Sequence, residues 1–446
     1  MSSDPFVPAP LLPSTPAPLP LSYTSPQMPK ESMRIAFVLD RYDAVGGGAQ
    51  RWTHDHAVRL LASGHHVSIY ARQIRGAPGE ARTNLVEVGS AVFGSRRLRF
   101  AAAVQKLIAK ENFDIVHDMG DGWYADVIMP HHGVRRYVYR QRSRLAHGLF
   151  RWARPLGYGL LSRYREFRRL ERRQYDKKGS ATIIAVSEMV RRQILSTYPI
   201  DPARVVVIHN GTDTDRFKPE DVPPQSTVGG GNRNRIRAEL GWQSRTIYLT
   251  VAHDFKLKGV DRILAAMAHL RGRGRDAGLL VVGGGDIPKY KRLAASMGVA
   301  NDVAFLGDVE DPVPAYHASD VFVLPTLYDP CPLVVLEALA CGVPVITTAY
   351  NGATELMTLP RDGVVLNDPM DVMELALAML RFDEAEVSRL ARERVEASRR
   401  PELRADMMHE KHLEVYRAIR AGKLSKGQGT PTRSGSGDFR TLPAKA

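Results

Sequence analysis

Short apolar runs alternate with amphipathic stretches along most of this 446-residue chain. That is the pattern of a parallel sheet whose strands are buried on both faces and joined by helices. In the first half the runs predict strands at 35–39, 66–70, 115–117, 127–129, 182–185 and 205–209. In the second half they predict strands at 247–252, 278–282, 303–306, 321–324, 343–347 and 363–365. Helical patterns fall at 49–63, stopped by Gly64, and at 260–271, 287–297, 312–318 and 332–340.

The alternation breaks at 218–234, where Pro223, Pro224 and three glycines at 229–231 have the composition of a linker. The expected architecture is therefore α/β, with two Rossmann-like doubly wound domains at 33–218 and 236–404. Ligands bind such sheets at the carboxyl ends of the strands, so two facing domains enclose a central cleft. A hydrophobic content of 44% supports two cores. Cys331 and Cys341, the two cysteines, lie in one segment, which suits a reduced cytoplasmic protein rather than a disulfide scaffold. No apolar run approaches the roughly 18 residues that span a bilayer.

Residues 1–32 hold nine prolines and neither a basic n-region nor an apolar h-region. They read as a disordered tail rather than a signal peptide, with Met28 and Met33 as alternative starts. Residues 421–446 read as a second loose tail. The net charge of +14 is concentrated: residues 134–178 carry 15 Arg or Lys against three acidic residues, interleaved with eight Tyr, Phe or Trp. Three readings compete for that segment: RNA binding by charge and stacking, docking on an anionic membrane surface, or a solvated helical face.

The densest chemistry lies in Asp329 to Pro344, DPCPLVVLEALACGVP. Asp329 stands eight positions before Glu337, and between them Pro332, Leu333 and Val334 open a helix. A helix N-terminus offers free N–H groups and a positive dipole end to a diphosphate, and the flanking carboxylates accept from sugar hydroxyls. The segment resembles the E-x7-E motif of retaining GT-B glycosyltransferases, in the large family 4 that includes bacterial lipopolysaccharide and mannosyl transferases. Asp329 stands where that family usually has Glu. The resemblance implies the GT-B layout, with a final helix (405–420) crossing back to the first domain.

Gly46-Gly47-Gly48-Ala49-Gln50 follows the first strand and opens a helix. Glycines there let backbone approach a phosphate, although a flexible loop accounts for them equally well. The spacing is not GxGxxG, and the second strand ends Tyr70-Ala71-Arg72 without an acid for a ribose. The resemblance matches Gly47 and Gly48 to a Gly-Gly pair facing the donor phosphates. His117 ends a strand, where a lone histidine is more often structural; the resemblance makes it a contact to the donor sugar. His131 and His132 fall on the acceptor side, with no third ligand spaced to make a metal site.

The loop from Val251 to Gly259 carries His253, Lys256 and Lys258. Two cations on one loop suit a diphosphate. The family usually has Arg at the place of His253, and Lys256 is read as supplying that charge. Gly283 and Gly307 lie in strand-end turns resembling the family's G-x-G and F-x-G turns. Asp213-Thr-Asp215 matches a DxD metal motif, but it sits in an N-G-x-D turn and is read as structural.

The expected activity is transfer of a hexose from a nucleoside-diphosphate sugar to a hydroxyl of a glycan or lipid-linked acceptor in cell-envelope polysaccharide or lipopolysaccharide synthesis. Retention is expected, with no metal or other cofactor. His117, Lys256, Lys258 and Asp329 are the catalytic candidates, with the leaving diphosphate as proton acceptor. The surrounding motifs favour the anionic membrane as partner of 134–178, hence a peripheral location on the inner face of the plasma membrane, with no nucleic acid. A nucleotide-sugar epimerase of the same fold and a basic nucleic-acid binder are the alternatives.

Overall fold

The structure, a computed structural model, describes residues 32–89, 95–145, 162–220, 231–382 and 398–425. The proline-rich tail, the centre of the linker at 221–230, and Phe150, Trp152 and Tyr158 of the basic segment lie outside the described residues.

The first sheet has seven strands in the order β5–β3–β1–β6–β7–β8–β9. They are Arg82–Leu85, His66–Ala71, Arg34–Val38, Ile115–Asp118, Val127–Ile128, Thr182–Ala185 and Val205–Val207. The second sheet has six, in the order β12–β11–β10–β13–β14–β15. These are Val303–Gly307, Ala277–Val282, Thr246–Val251, Val321–Leu324, Val345–Thr348 and Gly363–Leu366. Every pair in both sheets is parallel. The central strands are mainly apolar because both faces are covered: β11 is apolar and buried along its whole length, and β6 is equally buried but ends in His117 and Asp118. In each sheet the winding reverses beside the first strand, between β1 and β6 and between β10 and β13, which is where loops part and a ligand fits.

The edge strand β5, sequence RTNL, has no apolar pattern and was not expected from the sequence; it is held by pairing with β3. Helices at Arg96–Ile108, Arg135–Ser143, Ser162–Gln174 and Glu188–Thr197 are likewise additions to the expected elements. The last helix, Ala405–Ser425, runs five residues into the segment read as a tail, a correction to that boundary. It packs on the first domain. Thr212 donates its N–H to Leu403 (2.7 Å) and accepts from Ala405 (2.9 Å), and Arg420 pairs with Asp114 at 3.2 Å.

Where this helix meets the first sheet it forms a cluster of buried rings. The Tyr416 hydroxyl lies 2.6 Å from His117 Nδ1 and 3.2 Å from His56 Nε2. His409 Nδ1 lies 3.1 Å from His56 Nδ1, so one of that pair must carry the proton and the other accept. Trp52 packs against His56, His131 and His412 at centroid distances of 4.8, 4.8 and 5.2 Å. Burial holds all five histidines below the usual range, His412 at about 4 and His131 and His409 at about 3.

A group whose folded pKa is depressed in this way keeps its stabilising neutral form above the unfolded value of about 6.5 and loses it as pH falls. Urea unfolding should therefore show lower stability at pH 5.0 than at pH 7.5, with His412 alone accounting for about 2 kcal/mol. His412→Gln should remove its share of that slope. Equal stability at the two pH values would contradict the buried neutral cluster.

Candidate active site

A cavity of about 670 Å³ opens between the domains at the carboxyl ends of β1, β6, β10 and β13. Two helices aim their N-termini into it. The helix Gly48–Ala62 starts from Gly47, and the helix Leu333–Ala340 starts from Pro332; neither start is capped by a side chain. The N–H groups at the very start of each helix are thus left for a ligand, and the positive ends of both helices border the cavity. The two starts nearly touch: a Cβ on Gly48 would stand 3.9 Å from the Leu333 side chain, and one on Gly47 would meet nothing. Glycine keeps this approach open to a phosphate.

Gly47, Gly48, His131, His132, His253, Lys258, Asp329, Pro332, Leu333 and Val334 all line this one cavity. Lys258 ends the short helix Phe255–Lys258 and forms an ion pair with Asp329. Asp329 is only 7% exposed, so its charge is largely answered by that lysine. Glu337 lies one turn inside the Leu333–Ala340 helix, 2% exposed. One of its oxygens accepts from Arg51 of the other domain at 3.2 Å, the other from the Tyr316 hydroxyl at 2.8 Å. Burial pushes this carboxyl up, and Arg51 and then Tyr316 pull it back.

Besides Glu337, which lies behind the helix start, four expected residues do not reach the cavity wall. His117 is fully buried behind it, with its Nδ1 2.6 Å from the Tyr416 hydroxyl, within the cluster that seats the last helix. Lys256 is exposed on the far side of its helix turn. Gly283 (φ +119°) and Gly307 (φ +72°) are bonded to one another, Gly283 N–H to Gly307 carbonyl at 2.7 Å, and shape the turns below the cleft. A side chain at Gly283 would strike the Ala252 backbone. His253 stands 3.4 Å from Asp308 at the rim. In the DTD segment the Asp213 carboxylate accepts the N–H groups of Asp215 and Arg216 at 3.1 and 3.2 Å, an Asx-type turn.

The first-domain wall contains residues that the sequence did not single out. Asp118, at the end of β6, is fully buried and pushed up to about 7 by that burial, while it accepts from the N–H groups of Gly120 and Asp121 at 2.7 and 2.8 Å. Asp121 accepts from Asp40 N–H (2.9 Å) and Arg97 (2.5 Å). Arg51 follows directly on the glycine loop, and only tertiary structure reveals that it crosses the cleft.

Removing one partner of a buried pair leaves the other unanswered at a cost of about 1–3 kcal/mol. Arg51→Ala should therefore lower the melting temperature by several degrees. An unchanged melting temperature would mean that Glu337 is satisfied without the other domain.

Comparison with known proteins agrees with this geometry. Residues 46–216 match the model of Glycosyltransferase Family 4, and residues 232–400 that of Glycosyl transferases group 1. The lipopolysaccharide glucosyltransferase WaaG of Escherichia coli K12 is 28% identical over 345 residues, 77% of this chain and 87% of that protein. The GDP-mannose-dependent α-(1-6)-phosphatidylinositol monomannoside mannosyltransferase of Mycolicibacterium smegmatis is 34% identical over 179 residues, 38% of this chain and 44% of that protein. The crystal structure of WaaG superposes with a TM-score of 0.72 at 25% identity, covering 86% of this chain and 99% of that one. With both domains matched and a cleft of this construction between them, the chain belongs to family 4 of the GT-B glycosyltransferases and transfers sugars.

Proposed function

We propose that this enzyme moves a hexose, with retention and without a metal, from a nucleoside-diphosphate sugar to a hydroxyl of a glycan or lipid-linked acceptor of the lipopolysaccharide-core kind. The observation that carries the reading is the meeting of two uncapped helix N-termini beside Lys258 and Asp329. Free N–H groups, two positive helix ends and one cation answer a diphosphate without a divalent ion. The name of the E. coli relative supports the acceptor class.

In the proposed complex the diphosphate lies on Gly47, Gly48 and the Leu333 helix start. Lys258 offsets the charge that grows on the leaving phosphate. Asp329 accepts from a hydroxyl of the transferred sugar, and Glu337 turns from Arg51 to the ribose. The bond from the anomeric carbon to the phosphate oxygen breaks as the acceptor oxygen arrives on the same face, and the acceptor proton passes to the departing phosphate. His131 and His132 border the acceptor. Lys256, exposed outside the cavity, adds charge at longer range. The exposed cations Arg165, Arg168, Arg169, Arg172 and Arg173 of the helix Ser162–Gln174 are proposed as the peripheral face toward an anionic bilayer.

A thermal-shift screen of nucleotide-sugars identifies the donor, since a ligand of the native state raises its stability. With that donor, Glu337→Gln should weaken binding roughly ten- to a hundredfold, the loss of a charged hydrogen bond. Lys258→Ala should lower turnover. Transfer should persist in excess chelator, and the product should keep the donor's anomeric configuration by NMR. Loss of activity on chelation, restored by manganese or magnesium, would overturn the metal-free reading.

A further inference from the structure

Arg135 is a half-buried cation of the cleft wall whose guanidinium has no acidic partner among the described residues. It opens the helix Arg135–Ser143 and lines the same cavity as Lys258 and Asp329. The neighbouring carboxylates are engaged elsewhere. Glu171 accepts from the Arg135 backbone N–H at 2.9 Å and from the Tyr198 hydroxyl at 2.6 Å, so it caps the helix start instead of pairing with the side chain. Asp121 is paired with Arg97 at 2.5 Å, and Asp40 with Arg72 at 2.6 Å.

What holds the Arg135 side chain is a ring. Its guanidinium carbon lies 4.0 Å from the centroid of Phe167, and that of Arg97 lies 4.1 Å from the same centroid. Phe167 is itself buried and therefore a fixed platform. Two guanidiniums on one ring repel, and burial and Arg97 together depress the Arg135 pKa against the pull of Glu171 and Asp121. The Arg135 charge in turn pulls the adjacent His132 below the usual histidine range. A cation set in this way, stacked on a ring beside a second guanidinium and with no carboxylate partner among the described residues, favours the arrival of an anion. A planar fork stacked on an aromatic face is the arrangement that grips a phosphate through two N–H groups.

We propose that Arg135, with Arg97 and His132 beside it, forms an anion subsite in the first-domain half of the cleft, and that the subsite takes a phosphate group carried by the acceptor. The proposal rests on the glycosyl-transfer reading above and narrows its acceptor to a phosphorylated one.

The test uses the full chain with its donor site filled by the nucleoside diphosphate found in the screen, so that added phosphate cannot occupy that site. Glucose 6-phosphate and glucose are then titrated by calorimetry. The wild type should bind glucose 6-phosphate at least tenfold more tightly than glucose. Arg135→Gln should abolish the preference, and Arg135→Lys should keep part of it, while both retain nucleoside-diphosphate binding as proof of folding. Vesicles of phosphatidylglycerol and phosphatidylcholine form a second arm. Phosphatidylglycerol binding that Arg135→Gln abolishes, without binding of glucose 6-phosphate, keeps the subsite and assigns its phosphate to a lipid headgroup. Nucleoside-diphosphate binding with equal affinity of wild type and Arg135→Gln for every phosphate probe overturns the subsite alone. Failure of the wild type to bind any nucleoside diphosphate overturns the functional reading and the subsite with it.

Discussion

A carboxylate buried to 2% exposure must be answered, and that of Glu337 is answered from the other domain. Arg51 stands in the first turn of the helix that follows the glycine loop, so its reach across the cleft fixes the glycines against the Leu333 helix start. Tyr316 holds the second oxygen from within the same domain. The consequence is that two positive helix ends, which would repel if left alone, are kept side by side by a charge pair next to them. Under the proposed function a diphosphate would relieve this arrangement, with the Lys258–Asp329 pair on the same wall.

The basic segment contributes to the same constraint in a way that net charge alone conceals. Arg142 pairs with Asp254 at 3.1 Å and Arg144 with Asp368 at 2.5 Å, both in the second domain. Arg135 faces the cleft. Three of the cations that suggested one uniform surface therefore work inside the molecule, two of them as interdomain ties. The outward charge rests on the helix Ser162–Gln174, whose Phe167 and Leu170 are buried while its arginines at 165, 168, 169, 172 and 173 are exposed.

The central strands of both sheets were legible because burial on two faces demands unbroken apolar runs, and β8 and β13 fall on their expected residues. The edge strand β5 was not, because pairing with β3 holds it and no pattern of its own does. The helix Arg135–Ser143 was hidden by its arginines, whose partners are distant in sequence. The site divides in the same way. Motifs confined to one loop, such as Gly47-Gly48 and Asp329 to Val334, could be read directly, and all of these line the cavity. Arg51, Tyr316, Arg97 and Arg135 act through contacts between elements, which spacing along a chain does not record. His117 shows the same limit from the other side: it ends a strand at the ligand edge, and only the tertiary structure shows the returning helix covering it with Tyr416.

The central claim is that the diphosphate of a sugar donor replaces the pairing that now closes the cleft. The most direct measurement is a crystal structure of the protein with its donor nucleotide bound. The account predicts the diphosphate within hydrogen-bond distance of the N–H groups at Gly47–Gly48 and Leu333–Val334, with Lys258 on a phosphate oxygen and Glu337 released from Arg51 to the ribose. A nucleotide seated elsewhere, with the Arg51–Glu337 pair intact, would contradict it.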